Sequence, residues 1–223
     1  MQHSQCIADG CGAVGLYCWG VSPHCPPVFT VPGFSPPDFN TKLDPEEYVR
    51  LTPPSAMIRG VFLANLLAMA RASRCELASG TEKKYHAFIE YPLAEHIRLL
   101  AEVAPAVYLT LPLGEGLRQI GQRIYPMFAA SLVGKVIFST VGNNPSSVLA
   151  AGVKAYNVSA TVGHVQIIEL DDTHGHFYLE NMFNFVEQYH VGIFEGAIKV
   201  IGYVPHLLTK PRTRTSSEFY VTW

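Results

Sequence analysis

VGHVQIIEL, DDTHG and HFYLENM, residues 162–182, decide the fold, because here the hydrophobic period falls from the helical value to two. Val162, His164, Gln166 and Ile168 alternate with Gly163, Val165, Ile167 and Glu169, as along a partly buried strand. Asp171, Asp172 and Gly175 supply turn chemistry, and residues 176–180 read as the returning strand. FNFVEQYHVGIFEGAIKVIGYV follows, with Gly192, Gly196 and Gly202 marking a short helix over residues 191–201. The chain closes on EFYVTW, whose aromatic and β-branched residues predict a strand over residues 217–223.

Working towards the N-terminus, the period is helical. Asn144-Pro145 restarts a helix through SSVLAAGVKAYN. Residues 113–141 form the longest candidate, with Ile120, Ile124, Met127 or Phe128, Leu132 and Val136 on the buried side and Pro126 expected to kink or split it. Gly121, Ala129, Ala130 and Gly134 would let another backbone come close. Pro92 opens a helix through LAEHIRLLAEVA, and Pro105 ends it or separates it from AVYLTL. Ser55 is expected to cap a helix through MIRGVFLANLLAMARAS, with Ile58, Phe62, Leu66 and Met69 on one apolar face and Arg59, Asn65 and Arg71 turned outward or toward a partner. Asp44-Pro45-Glu46-Glu47 is a helix start of its own. Before it, Pro, Gly and Ser recur, and Phe29, Phe34 and Phe39 are spaced to dock an extended arm. The expected organisation is an N-terminal arm over residues 1–52, partly extended, and a single α+β domain over 53–223. In that domain a helical cluster precedes a small, mainly antiparallel sheet with an inserted helix.

Hydrophobic residues make up 48% of the chain and charged ones only 15%, so apolar surface is left for a dimer, a partner or an enclosed ligand. A net charge of -2 gives no footprint for nucleic acid, and Lys210, Arg212 and Arg214 read as a solvated loop. The apolar run over residues 61–70 falls short of the ~20 residues of a bilayer span, and Pro23, Pro26 and Pro27 stand where an export helix would continue, so the cytoplasm is the expected compartment. Cys6, Cys11, Cys18 and Cys25 are spaced too widely for a zinc knuckle and read as ordinary thiols, with His3 and His24 nearby and Cys75 apart.

GVFLANLLAMA, LGEGLRQIGQRIYPMF, FSTVGNNPSSVLAAG, GIFEGAIKVIG and the terminal EFYVTW together resemble the Myxococcales-restricted family of unknown function, over residues 53–223. Tyr189, Gly192, Gly196 and Gly202 also resemble the pattern of the four-vinyl-reductase small-molecule-binding domains. Those are akin to haem-NO-binding domains and transport-particle subunits. That resemblance implies an apolar pocket and dimeric packing. The chain departs from the sensor versions in having no cysteine after Cys75, which excludes cysteine-based metal binding in its C-terminal half. His96, beside Ile97, Leu99 and Leu100, is physically able to ligate a haem, but a lone histidine without a CxxCH attachment carries little weight.

His164, His174 and His176 should not converge, because pairing about the turn carries His164 to the far end of the hairpin. Asp171 or Asp172 with His174 and His176 reads as turn chemistry before it reads as a metal site. GxSxG, HExxH, a P-loop and a dinucleotide fingerprint are absent, and Glu169, Glu180, Glu187 and Glu195 are not placed across a cleft by their spacing. Glu195 is expected beside an arginine or a backbone donor. The reading is a non-enzymatic, homodimeric binding or signalling module whose apolar pocket is lined by Phe128, Phe183, Phe185, Tyr189, His190, Phe194 and Tyr203, with the cofactor unknown. The alternative is a ligand-free scaffold or adaptor that works through a hydrophobic interface.

Overall fold

A computed structural model describes residues 30–138, 141–142 and 144–223. The four N-terminal cysteines, His3, His24 and Phe29 lie outside the described residues. Helix α1 (Pro45–Leu51) starts as its sequence dictates, with Asp44 Oδ1 accepting from the Glu46 amide at 3.1 Å. Residues 30–43 run along the body, where Ser35 bridges to Thr209 and the Phe39 ring lies 4.9 Å from the Arg118 guanidinium.

The helix expected from Ser55 begins later. Met57–Arg59 is a strand, β1, paired antiparallel with β2 (Glu90–Pro92), and the Met57 amide donates to Thr161 Oγ1 at 2.8 Å. Ladder partners on both sides outweigh the helical period here, and α2 runs over Gly60–Ala72. Pro92 opens α3 (Leu93–Val107) as expected, while Pro105 sits in its last turn. The long central element is divided into α4 (Leu113–Ala130) and α5 (Leu132–Phe138). The break falls at Ser131, not at Pro126: Ser131 is extended, and its hydroxyl accepts from the Gly134 amide to start the next turn. Asn144 then caps α6 (Pro145–Asn157), its Oδ1 accepting from the Ser147 amide at 2.8 Å.

The hairpin is β3 (His164–Leu170) and β4 (His174–Glu180), with His164 opposite Glu180. A four-stranded antiparallel sheet is completed in the order β3-β4-β6-β5 by β5 (His206–Thr213) and β6 (Ser216–Thr222). Lys210 and Arg212 therefore lie on a strand, where the sequence suggested a loop. Pro211 and the charges are tolerated because β5 is the edge strand beyond the Ser35 bridge. The inner face carries Phe177, Leu179, Phe219 and Val221, all fully buried against α7 (Val191–Lys199). The molecule is thus an α+β fold, helices first and then an antiparallel sheet with an inserted helix. One core lies among the helices and another between sheet and α7.

Helices α4 and α7 join the two cores at unusually close range. A Cβ at Gly121 would lie 2.2 Å from the Tyr189 carbonyl oxygen, one at Gly192 2.0 Å from that of Arg118, and one at Gly196 2.5 Å from that of Gln122. Only glycine permits this approach. Pro126 contributes, because it withholds the helical N–H that the Gln122 carbonyl would otherwise accept, on the side where Gly196 lies.

Candidate functional site

Between β4 and α7 the backbone departs from regular geometry. Val186–His190 forms a π-helical turn, and Phe185 before it is left-handed at φ 60°. A bulky residue there is strained, and such turns and outliers gather at functional sites. The strain is held by packing, with Phe185 fully buried 4.6 Å from the Tyr48 ring. The turn directs Tyr189 and His190 into the interior, both nearly inaccessible to solvent.

A small, partly open cavity of about 80 Å³ lies beside them. Its walls are Phe62 from α2, Ile124 and Phe128 from α4, Val148 and Tyr156 from α6, and His190, Ile193 and Phe194 from the π turn and α7. Phe62 stacks on Phe128 at 5.2 Å, and Phe194 meets Phe177 and Phe219 edge-on at 5.0 and 5.3 Å. Among the described residues, none lining the cavity carries a formal charge.

Of the residues expected to line a pocket, Phe128, His190 and Phe194 meet at this cavity. Phe183 and Phe185 are packed into the helical core instead, and Tyr189 stands behind the wall, its ring 5.4 Å from that of His190. Tyr203 does not line the cavity: it follows the left-handed Gly202 after α7 and is exposed. Sequence reasoning missed Phe62, which lay on an apolar helix face with nothing to set it apart, and Asn65, whose amide nitrogen is buried where a residue turned outward or toward a partner was expected.

Burial holds the His190 and His96 imidazoles neutral, pulling both down to about 3, with His190 adding a smaller push on His96. The His190 Nε2–H donates to Asn184 Oδ1 at 2.8 Å. Neither ring nitrogen of His96 has a hydrogen-bond partner among the described residues. Because both folded values lie below the ordinary 6.5, stability is complete above pH 6.5 and is lost as pH falls from 6.5 towards 3. The unfolded chain takes up two protons that the folded one refuses, so the loss is about 2–3 kcal/mol per pH unit in the middle of that window. Urea midpoints measured between pH 7 and pH 5 should fall accordingly, and His96→Phe should remove about half of the slope.

The histidines of the hairpin behave differently. His174 places Nδ1 3.0 Å from Asp171 Oδ2 and Nε2 3.5 Å from Glu169 Oε2, so its two nitrogens face separate carboxylates. Asp171 Oδ1 is already occupied by the Thr173 and His174 amides. His176 turns to Glu218 at 2.9 Å, and His164 is at the other end of the strand. His164 and His176 are thus kept apart from this group, while Glu169, Asp171 and His174 at the turn each bring one ligand atom within 4.8 Å of the others. Glu195 pairs with Arg118 through two hydrogen bonds of 2.7 and 2.8 Å and accepts from Gln122 at 2.6 Å, which accounts for this acid structurally.

Residues 51–223 match the family described as a protein of unknown function, DUF2378. The chain belongs to that family. No curated protein matches it. Among solved structures, the Fe(II) unliganded H-NOX protein from K. algicida superposes with a TM-score of 0.56 at 12% identity, covering 74% of this chain and 96% of that one. The Fe(II)NO H-NOX protein from S. oneidensis gives a TM-score of 0.53 at 10% identity, covering 74% and 98%. An oxygen-binding H-NOX domain related to soluble guanylate cyclases gives 0.53 at 12% identity, covering 74% and 93%. This DUF2378 chain therefore has the H-NOX fold.

The residues present do not fit a haem. His96 would have a free nitrogen to offer, but its ring is fully buried with Phe62 at 6.3 Å and Tyr189 at 5.7 Å between ring centres. The adjoining space, about 80 Å³, is well under the ~300 Å³ at which pockets for drug-sized ligands begin, and a porphyrin needs more.

Proposed function

We propose that this DUF2378 chain is a non-enzymatic binding module that takes a small, largely apolar molecule into the cavity between α4, α6 and α7. The cavity itself is the observation that carries the reading: it is apolar, bordered by a strained π turn, and walled by three helices and Phe62. A 150 Å³ apolar cavity holds benzene or xenon, so about 80 Å³ suits a molecule of a few heavy atoms. The H-NOX structures, which bind NO or oxygen in two of the cases above, support a sensing role by analogy of fold. Occupancy would be passed on through α7, whose close seam with α4 leaves little room for independent movement. Binding of xenon, followed by amide NMR shifts at Ile124, Val148, Ile193 and Ala197, tests this. The shifts are expected to saturate, and Val148→Phe, which fills the space, is expected to abolish them.

One observation favours an adaptor role alongside or instead. Leu132 and Val136, four residues apart on α5, are 73% and 76% exposed. An apolar pair of this kind suits a homodimer or partner contact, for which the concentration dependence of the sedimentation coefficient is the test.

A further inference from the structure

Both ring nitrogens of His96, the Tyr189 hydroxyl and the Asn65 amide nitrogen are buried without a hydrogen-bond partner among the described residues. Folded proteins seldom leave such groups unpaired, and three residues on three different elements do so here. The His96 ring lies 5.7 Å from that of Tyr189, and Tyr189 lies 5.4 Å from His190, a wall of the cavity. On its other side His96 meets Phe62 at 6.3 Å, a second wall residue, and Asn65 stands about one turn beyond Phe62 on α2. The His96 and Tyr189 rings therefore pack against the two wall residues Phe62 and His190.

The chemistry of this cluster is hydrogen bonding without charge. A neutral imidazole offers one donor and one acceptor, the phenol one of each and the amide two donors. Among the described residues no Lys, Arg, Asp or Glu lines the cavity, and Arg118 on α4 is committed to Glu195 and Glu115. A carboxylate or phosphate placed here would lose its hydration with no counterion to replace it.

Resting on the binding reading above, we propose that the ligand is an uncharged amphipathic molecule of a few heavy atoms, of the class of short alcohols and ketones. Its apolar end fills the cavity, and its oxygen reaches Tyr189 and His96 when the Phe62 ring turns aside. The π turn carries Tyr189, whose ring it sets 5.7 Å from that of His96, and the strain at Phe185 precedes that turn.

The test is amide NMR titration of the full chain with xenon, 1-propanol and propionate, repeated in Tyr189→Phe and His96→Gln. Xenon and 1-propanol should shift the same lining residues and propionate should not. Tyr189→Phe should weaken 1-propanol binding about five- to tenfold, the loss of one hydrogen bond, and leave xenon affinity unchanged. The phenylalanine variant removes only an unpaired hydroxyl and is expected to fold at least as well as the native chain. Unaltered 1-propanol affinity in both variants, or propionate binding as tight as that of 1-propanol, would overturn the proposal while leaving the cavity reading intact. If xenon fails to bind, both are wrong.

Discussion

Gly192→Ala should cost about 3 kcal/mol of stability, although alanine is the better helix former. The added methyl would sit 2.0 Å from the Arg118 carbonyl oxygen and 3.0 Å from the Gln122 amide nitrogen, both backbone atoms that cannot rotate away. Helices α4 and α7 must separate, and with them the contact that joins the helical core to the sheet core. Overpacking commonly costs about 1–3 kcal/mol and more where, as here, a 2.0 Å clash with backbone cannot relax, so about 3 kcal/mol remains after a helix-propensity gain of at most about 1 kcal/mol. Gly152→Ala on α6 is the internal control, since nothing lies within 4 Å of the Cβ it would add. That variant should be neutral or slightly stabilising. Urea unfolding of the two proteins side by side gives the answer, and equal midpoints would mean that the seam is looser than its geometry indicates.

Arg118→Met should be comparably damaging, at about 3 kcal/mol, for an electrostatic reason. Arg118 binds Glu195 through two hydrogen bonds and Glu115 through a third contact at 3.0 Å, with the Phe39 ring against its guanidinium. The Glu195 side chain is only 9% exposed, so removing the arginine strands a carboxylate in a poorly solvated seam. The double variant Arg118→Met with Glu195→Leu should recover most of the loss, because a matched apolar pair carries no desolvation penalty. Failure of the second substitution to rescue would assign the cost to lost packing of the arginine stem and Phe39.

The parts of this fold that were legible in the sequence are those set by local chemistry. The hairpin follows from alternation and the Asp171–Gly175 turn, and the starts of α1 and α6 from Asp44 and Asn144. Gly121 could be read as a point of close approach because a glycine inside a long helix needs a packing reason. Other features depend on tertiary partners. Met57–Arg59 reads as the start of a helix until β2 and Thr161 supply its ladder, and HLLTKPRT hides a strand behind a proline and two charges. The π turn over VEQYH has no sequence signature, since the same residues would suit an ordinary helical turn. Three cavity residues were within reach because aromatics and a histidine beside a glycine-marked helix invite that reading. The polar cluster was not, because Asn65, His96 and Tyr189 are far apart in sequence and each alone is unremarkable.

The most direct test of the central claim is a crystal structure of the protein under xenon pressure. A single xenon peak is expected among Phe62, Phe128, Val148, His190 and Phe194, with α4 and α7 unmoved. A map with no xenon there, or with these side chains packed solidly together, would contradict the account of this chain as a small-molecule-binding module.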